Sequence, residues 1–213
     1  MPARQVRHPI FARFYARLGT GMENAGVGDH RQRLLAGLSG SVLEIGAGNG
    51  LNFRHYPPTV TRVVAVEPEP HLRELAQISA AAAAVPIMVT DGTAERIPAS
   101  DGEYDAVVAT LMLCSVGDPV LALREMRRVL RPGGELRFME HVLAASAGGR
   151  GIQRLADATC WPLCFGGCHA SRDAVAAIEA AGFRVGDVVR YQLPDTQIPW
   201  PTAPHVRGVA VRA

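Results

Sequence analysis

The sequence predicts a doubly wound α/β fold, on three observations. Short apolar, β-branched runs alternate with amphipathic segments along the first two thirds of the chain. The runs are almost continuously apolar, as expected of strands covered on both faces of a largely parallel sheet. A glycine-rich turn follows the first run, at the strand end where open α/β sheets bind their ligands.

The elements follow in order. "SVLEIG", "TRVVAVE", "VPIMVT", "YDAVVATL" and "GELRFMEHV" are the five strands of the core. "HLRELAQISAAAAA" follows the second strand as a helix, and its alanine run is a helix end. "DPVLALREMRRVL" opens on an Asp-Pro start signal and stops at "RPGG", so a helix precedes the fifth strand. After Val142 the pattern changes to a break at "AGGRG", a helical run "RGIQRLADAT", a Cys-, Trp- and Gly-containing segment and a helix "SRDAVAAIEAAG". Two last apolar runs, "FRVGDVVRYQL" and "HVRGVAVRA", read as hairpin-related strands at the edge region, so the sheet is expected to be mostly parallel with an antiparallel strand near the C-terminus. At the start, Ile10, Phe11, Phe14, Tyr15 and Leu18 recur at helical spacing. The expected organisation is one domain, with a helical lid over residues 1–40, a ligand-binding core over 41–142 and a substrate-covering region over 143–213.

Composition narrows the function classes. The chain has 213 residues and a formal net charge of +2, and all 22 basic residues are arginine. These arginines are scattered rather than clustered, which argues against a nucleic-acid partner. No apolar run near the N-terminus is long enough for a signal peptide or a membrane span, so a cytoplasmic protein without stable membrane insertion is expected, as a monomer or homodimer. A chain of this size folds without disulfide staples, so reduced thiols are expected at Cys114, Cys160, Cys164 and Cys168.

The stretch "VLEIGAGNG" identifies the ligand class. Gly46, Gly48 and Gly50 are spaced G-x-G-x-G, and Leu51 stands where a dinucleotide fingerprint needs its third glycine. A pyrophosphate is therefore disfavoured. Glu44, inside the strand, suits a cationic ligand better than a diphosphate. Glu67 ends the second strand about 20 residues on, where a carboxylate can bind both hydroxyls of a ribose.

In series, "EIGAGNG", "VVAVEPE", "DGTAERIP", "YDAVVATLMLCSV" and "LRPGGELRFMEHV" resemble the class I S-adenosylmethionine-dependent methyltransferases, whose sheet is Rossmann-like. The resemblance implies S-adenosyl-L-methionine as cofactor and S-adenosyl-L-homocysteine as product. It implies that Gly46, Ala47 and Gly48 approach the methionine part, with Glu44 near its amino end and Asn52 beside the loop. Glu67 and Pro68 would meet the ribose, Thr93 and Ala94 the adenine, and Leu111 and Met112 would line the cofactor. The family often has an acidic residue where Thr93 stands. "NFRHYPP", "TLMLCSV", "EHV", a "W…GGCHASR" segment and "PHVRG" are similar to the alkyl-thiol S-methyltransferases of the methyltransferase-like group, whose animal members carry a hydrophobic N-terminal anchor.

Methyl transfer from a sulfonium is an in-line displacement that positioning and desolvation largely accelerate, and it needs no metal. A thiol acceptor, with a reference pKa of about 8.5, is already partly ionised near neutrality. His141 and His205 are the candidate bases, with Asp157 third. Cys114, Trp161, Phe165, Cys168 and Arg172 are candidate acceptor-site residues, with Trp161, Leu163, Phe165 and the small thiols roofing an apolar pocket. "CWPLCFGGCH" could be written as a metal site of Cys160, Cys164, Cys168 and His169, but structural zinc prefers paired C-x-x-C knuckles, and Pro162 and two glycines interrupt the run. No metal is expected there. A soft acceptor such as an arsenical, or reaction with oxidants, stays open for these thiols. The expected function is methyl transfer to a small, largely apolar acceptor, favouring a thiol over a hydroxyl, amine or quinone carbon. A non-catalytic cofactor-binding module is the alternative from another class.

Overall fold

In the computed structural model, which describes residues 9–193 and 200–213, seven strands form one sheet in the order β3-β2-β1-β4-β5-β7-β6. The strands are β1 (Gly40–Ile45), β2 (Val60–Val66), β3 (Ile87–Thr90), β4 (Tyr104–Thr110), β5 (Leu130–His141), β6 (Phe183–Gln192) and β7 (Pro204–Arg212). The first five are mutually parallel, and β7 runs antiparallel to both β5 and β6. The last two runs are thus a hairpin, with β6 at the rim and β7 beside β5. Strand order reverses beside β1, and the C-terminal ends of β1 and β4 flank a crevice there.

Helices α1 (Pro9–Met22), α2 (Gly28–Leu35), α3 (Pro70–Ala81), α4 (Pro119–Val129), α5 (Ala147–Asp157), α6 (Trp161–Cys164) and α7 (Ala174–Ala180) cover the sheet. Alternation along the strands sorts the core into two layers. Leu43, Ile45, Val107, Leu136 and Phe138 pack with Leu123 and Met126 of α4 and Ile178 of α7. Their neighbours Val42, Ala106, Val108 and Met139 pack on the other face with Leu34 and Leu35 of α2, Ala76 of α3 and Phe53. Side-chain caps start the crossover helices: Glu69 accepts from the Leu72 amide at 2.9 Å, Asp118 from Leu121 at 3.0 Å and Asp173 from Ala176 at 3.1 Å.

After the glycine loop, residues 53–55 form one tight turn, and β2 begins at Val60. Pro57 and Pro58 supply no amide donors there and disfavour continued helix. The fifth strand begins earlier than "GELRFMEHV", because Leu130 already pairs with Tyr104 before a bulge over "RPGG" resets the register to Ala106↔Glu135. The N-terminal helix forms, whereas residues 1–8 of the expected lid and the side chains of Ile10 and Leu18 lie outside the described residues. No helix among the described residues is long and apolar enough to cross a membrane.

Candidate active site

A cavity opens over the C-terminal ends of β1, β2 and β4. Gly46, Gly48, Glu67, Pro68, Thr93, Ala94, Leu111 and Met112 line it. Eight of the residues named from the sequence therefore converge. Gly46 and Gly48 hold φ of 69° and 59°, backbone that L side chains rarely adopt. A Cβ on Gly46 would sit 2.9 Å from Met112 Cβ, and one on Gly48 would stand 3.3 Å from Tyr15. The backbone can thus reach the cavity only without side chains.

Glu67 shapes the loop from the next strand. Its carboxylate accepts from the Gly48 amide at 2.7 Å and the Glu69 amide at 2.9 Å. Burial raises its pKa, and the two amide bonds oppose that rise. Leu111 has φ of 54°, the only positive value at a non-glycine among the described residues. Its amide donates to the Met139 carbonyl at 2.7 Å, which holds the turn after β4 in that conformation.

Glu44, Ala47 and Asn52 stand behind the cavity wall. Glu44 is buried and accepts from Asn52 Nδ2 at 2.9 Å and from the Tyr56 hydroxyl at 2.6 Å. Burial pushes its pKa up to about 7, against the pull of those two hydrogen bonds. Asn52 also donates to Thr110 at 3.1 Å and accepts from Arg31 at 2.8 Å, and Arg31 pairs with buried Glu23 at 2.8 Å. One polar chain thus runs from just past α1 to the C-terminal end of β1. "NFRHYPP" supplies two of its members, Asn52 and Tyr56.

The acceptor-side candidates gather beyond β4. His141 and His205 face each other across the β5–β7 ladder with ring centroids 6.0 Å apart. His205 Nδ1 lies 2.8 Å from the Ala203 carbonyl, and burial lowers its pKa to about 4. His141 Nε2 lies 3.4 Å from Cys168 Sγ. Burial works against protonation of His141, but Cys168, Glu140 and Asp157 outweigh it and raise the pKa. Cys114, His141 and Cys168 are all buried, with their donor atoms within 4.8 Å of one another.

Asp157 and Arg172 hold loops in place. Asp157 accepts from the Ala170 amide at 2.6 Å and the Ser171 amide at 3.0 Å. Arg172 donates to the carbonyls of Leu113 and Val116 at 2.8 and 2.7 Å, and neither Asp157 nor Arg172 lines the cavity. Trp161 stacks on Phe165 at 4.0 Å and meets Trp200 edge-on at 5.5 Å, outside the cavity. Cys160 and Cys164 are exposed free thiols.

Sequence reading missed Glu140, whose Oε1 accepts from the amides of Met112 and Leu113 at 2.9 and 3.0 Å. Its signal was legible: like Glu44, it is an acid within an apolar strand run. Glu69, Leu72, Glu95 and Gly166 also line the cavity, as do Phe11 and Tyr15 of α1. No short-range signal points to Gly166, which comes from a loop more than 100 residues after the glycine turn.

The cavity fits S-adenosylmethionine: the glycines admit a ligand against bare backbone, and a buried carboxylate stands at the end of β2. Comparison with known proteins agrees. The family described as "Methyltransferase domain" matches residues 43–138. The thiol S-methyltransferase TMT1A of Homo sapiens is 38% identical over 184 residues, covering 83% of this chain and 73% of that protein. TMT1B of Homo sapiens is 37% identical over 185 residues, covering 84% and 74%. A crystal structure of an S-adenosylmethionine-dependent methyltransferase from Thermotoga maritima shares the fold, with a TM-score of 0.68 at 20% identity over 96% of this chain and 99% of that one. The chain is an S-adenosylmethionine-dependent methyltransferase and belongs to the family of the thiol S-methyltransferases TMT1A and TMT1B.

Proposed function

We propose that this enzyme methylates a small, largely apolar thiol. The observation that carries the reading is the extent of the similarity. A general methyltransferase match ends at Phe138, whereas the human thiol enzymes align over 184 residues, too many for the cofactor core alone. The likeness therefore reaches into the segments that surround His141 and Cys168.

When bound, S-adenosylmethionine supplies an electrophilic methyl group on a sulfonium. Glu67 accepts from the ribose hydroxyls, Thr93 and Ala94 bound the adenine, and Gly46 and Gly48 admit the methionine portion. Phe11 and Tyr15 shield the site from water as part of the 1–40 lid, which supports desolvation of the reacting sulfurs. The acceptor enters beside Ser115 and Gly166, with Trp161 and Phe165 forming the outer apolar wall of its approach. Asp157 and Arg172 act as positioning residues. The reading of a cytoplasmic monomer or homodimer without a nucleic-acid partner rests on the sequence.

The test is turnover to S-adenosylhomocysteine with a panel of thiols, phenols and amines, read by mass spectrometry for one added methyl group. Alkyl thiols should be preferred. Methylation of phenols or amines with thiols left untouched would overturn the thiol assignment.

A further inference from the structure

Cys114, His141 and Cys168 come from three separate segments: the turn after β4, the end of β5 and the loop before α7. Their donor atoms lie within 4.8 Å of one another, and all three residues are buried. Tetrahedral zinc, with Zn–S of about 2.3 Å and Zn–N of about 2.0–2.1 Å, sets sulfur and nitrogen ligands roughly 3.5 Å apart. The 3.4 Å between Cys168 Sγ and His141 Nε2 matches that edge.

The surroundings fix the trio in place. The His169 amide donates to the Cys114 carbonyl at 2.9 Å, which ties two of the ligand loops together. Arg172 clamps the carbonyls of Leu113 and Val116, on either side of Cys114. Glu140 holds the Met112 and Leu113 amides of the same turn. Asp157 holds the Ala170 and Ser171 amides just past Cys168. Outer contacts of this kind orient the ligands of metal sites.

We propose that Cys114, His141 and Cys168 bind one zinc ion, and that its fourth position takes the acceptor thiol. The assignment of the fourth ligand rests on the thiol reading above. Three protein ligands with one open position are the pattern of a reactive zinc site rather than a structural one. Two residues of the cofactor cavity's wall adjoin the ligands in sequence, Ser115 next to Cys114 and Gly166 two residues from Cys168. Metal binding releases the two cysteine protons to solvent, giving a neutral centre. An acceptor RSH then displaces the zinc-bound water and loses its proton to solvent, because a coordinating thiol is deprotonated outright. The zinc-bound RS⁻ forms its S–CH₃ bond as the sulfonium S–CH₃ bond breaks. The negative complex and the positive sulfonium become a neutral thioether, a neutral zinc centre and S-adenosylhomocysteine, and the weakly ligating thioether departs.

The experiment titrates reduced, chelator-treated full-length protein with Co²⁺ and follows thiolate-to-cobalt charge-transfer absorption. One equivalent should saturate the band, and zinc should displace it. Cys114→Ser, Cys168→Ser and His141→Ala should each weaken cobalt binding by more than about 100-fold, since outer-sphere changes alone typically cost 10–100-fold. The double variant Cys160→Ser/Cys164→Ser should keep the band. Adding an alkyl thiol without cofactor should strengthen it, and chelation should slow thiol methylation in wild type. A band absent from wild type, or surviving in the ligand variants, would overturn the site. If those variants fail to fold, full thiol turnover by chelated wild type overturns the reactive centre instead. A cobalt band indifferent to thiols removes the fourth-ligand assignment. A band that responds to thiols in a protein that methylates none supports the centre and removes the thiol-methyltransferase reading.

Discussion

Over β1 and β2 the site is made largely of backbone. Gly46 and Gly48 present bare main chain, and one carboxylate, Glu67, fixes the loop through the Gly48 amide. Beyond β4 it is made of side chains from distant segments: His141 opposite His205, Cys168 beside His141, and Arg172 on the turn that carries Cys114. A backbone cradle depends on local turn geometry and serves one invariant ligand. A side-chain cluster depends on four segments meeting, and under the proposed reading a change of acceptor would register there. The division teaches where each kind of substitution should register.

The largest effect is expected where the cofactor half is tied to the N-terminal helices. Arg31→Ala removes the buried partner of Glu23 and the donor to the Asn52 carbonyl, leaving Glu23 only its exposed Arg54 partner, and since breaking a buried ion pair typically costs up to about 3–5 kcal/mol the loss should approach the lower end of that range. Chemical denaturation should show that loss, and a midpoint equal to wild type would remove the network from the stability of this half. Arg54, the other partner of Glu23, is mostly exposed, so Arg54→Ala should cost far less.

Next comes a pH effect confined to the same half. The folded pKa of Glu44 is raised to about 7, above the unfolded value of 4.5, so the folded state holds the proton more tightly. Its contribution is fully present below pH 4.5 and is lost as pH rises through 7. At 1.36 kcal/mol per unit the loss is roughly 3 kcal/mol at most. Glu44→Gln should flatten this fall in denaturation free energy. An unchanged slope would show that the carboxyl ionises freely in the fold.

Two smaller effects test the division directly. Glu67→Ala should weaken cofactor binding by about 1.5–3 kcal/mol in calorimetry through lost charge-assisted hydrogen bonds, while the acceptor KM stays near wild type. Trp161→Ala should lower kcat/KM for an apolar thiol by about 1–3 kcal/mol and leave cofactor affinity nearly unchanged. Loss of cofactor binding in a folded Trp161→Ala protein would show that the two halves are not separable.

Most of the cofactor half was legible because its signals are local. G-x-G-x-G follows an apolar strand within nine residues, and Glu67 closes the next strand at a fixed interval. Glu140 carried the same signal as Glu44, an acid amid apolar neighbours, and could have been read. Asp157 and Arg172 were visible as charged residues near the acceptor region, but their work on backbone amides and carbonyls was not. A charged side chain looks the same in sequence whether it faces a substrate or clamps a loop.

By itself the sequence determined the strand and helix alternation and the ligand class of the glycine turn, because hydrophobic period and turn chemistry act over a few residues. Only the tertiary structure decided that β7 inserts beside β5, which sets His205 opposite His141, and that the loop before α7 folds back onto the turn after β4. The cysteine spacing of "CWPLCFGGCH" drew attention to Cys160 and Cys164, which are exposed, whereas Cys168 joins Cys114 and His141 from elsewhere in the chain. The physical reason is range: such a cluster depends on sheet order and loop return over more than 50 residues, and no local propensity encodes either.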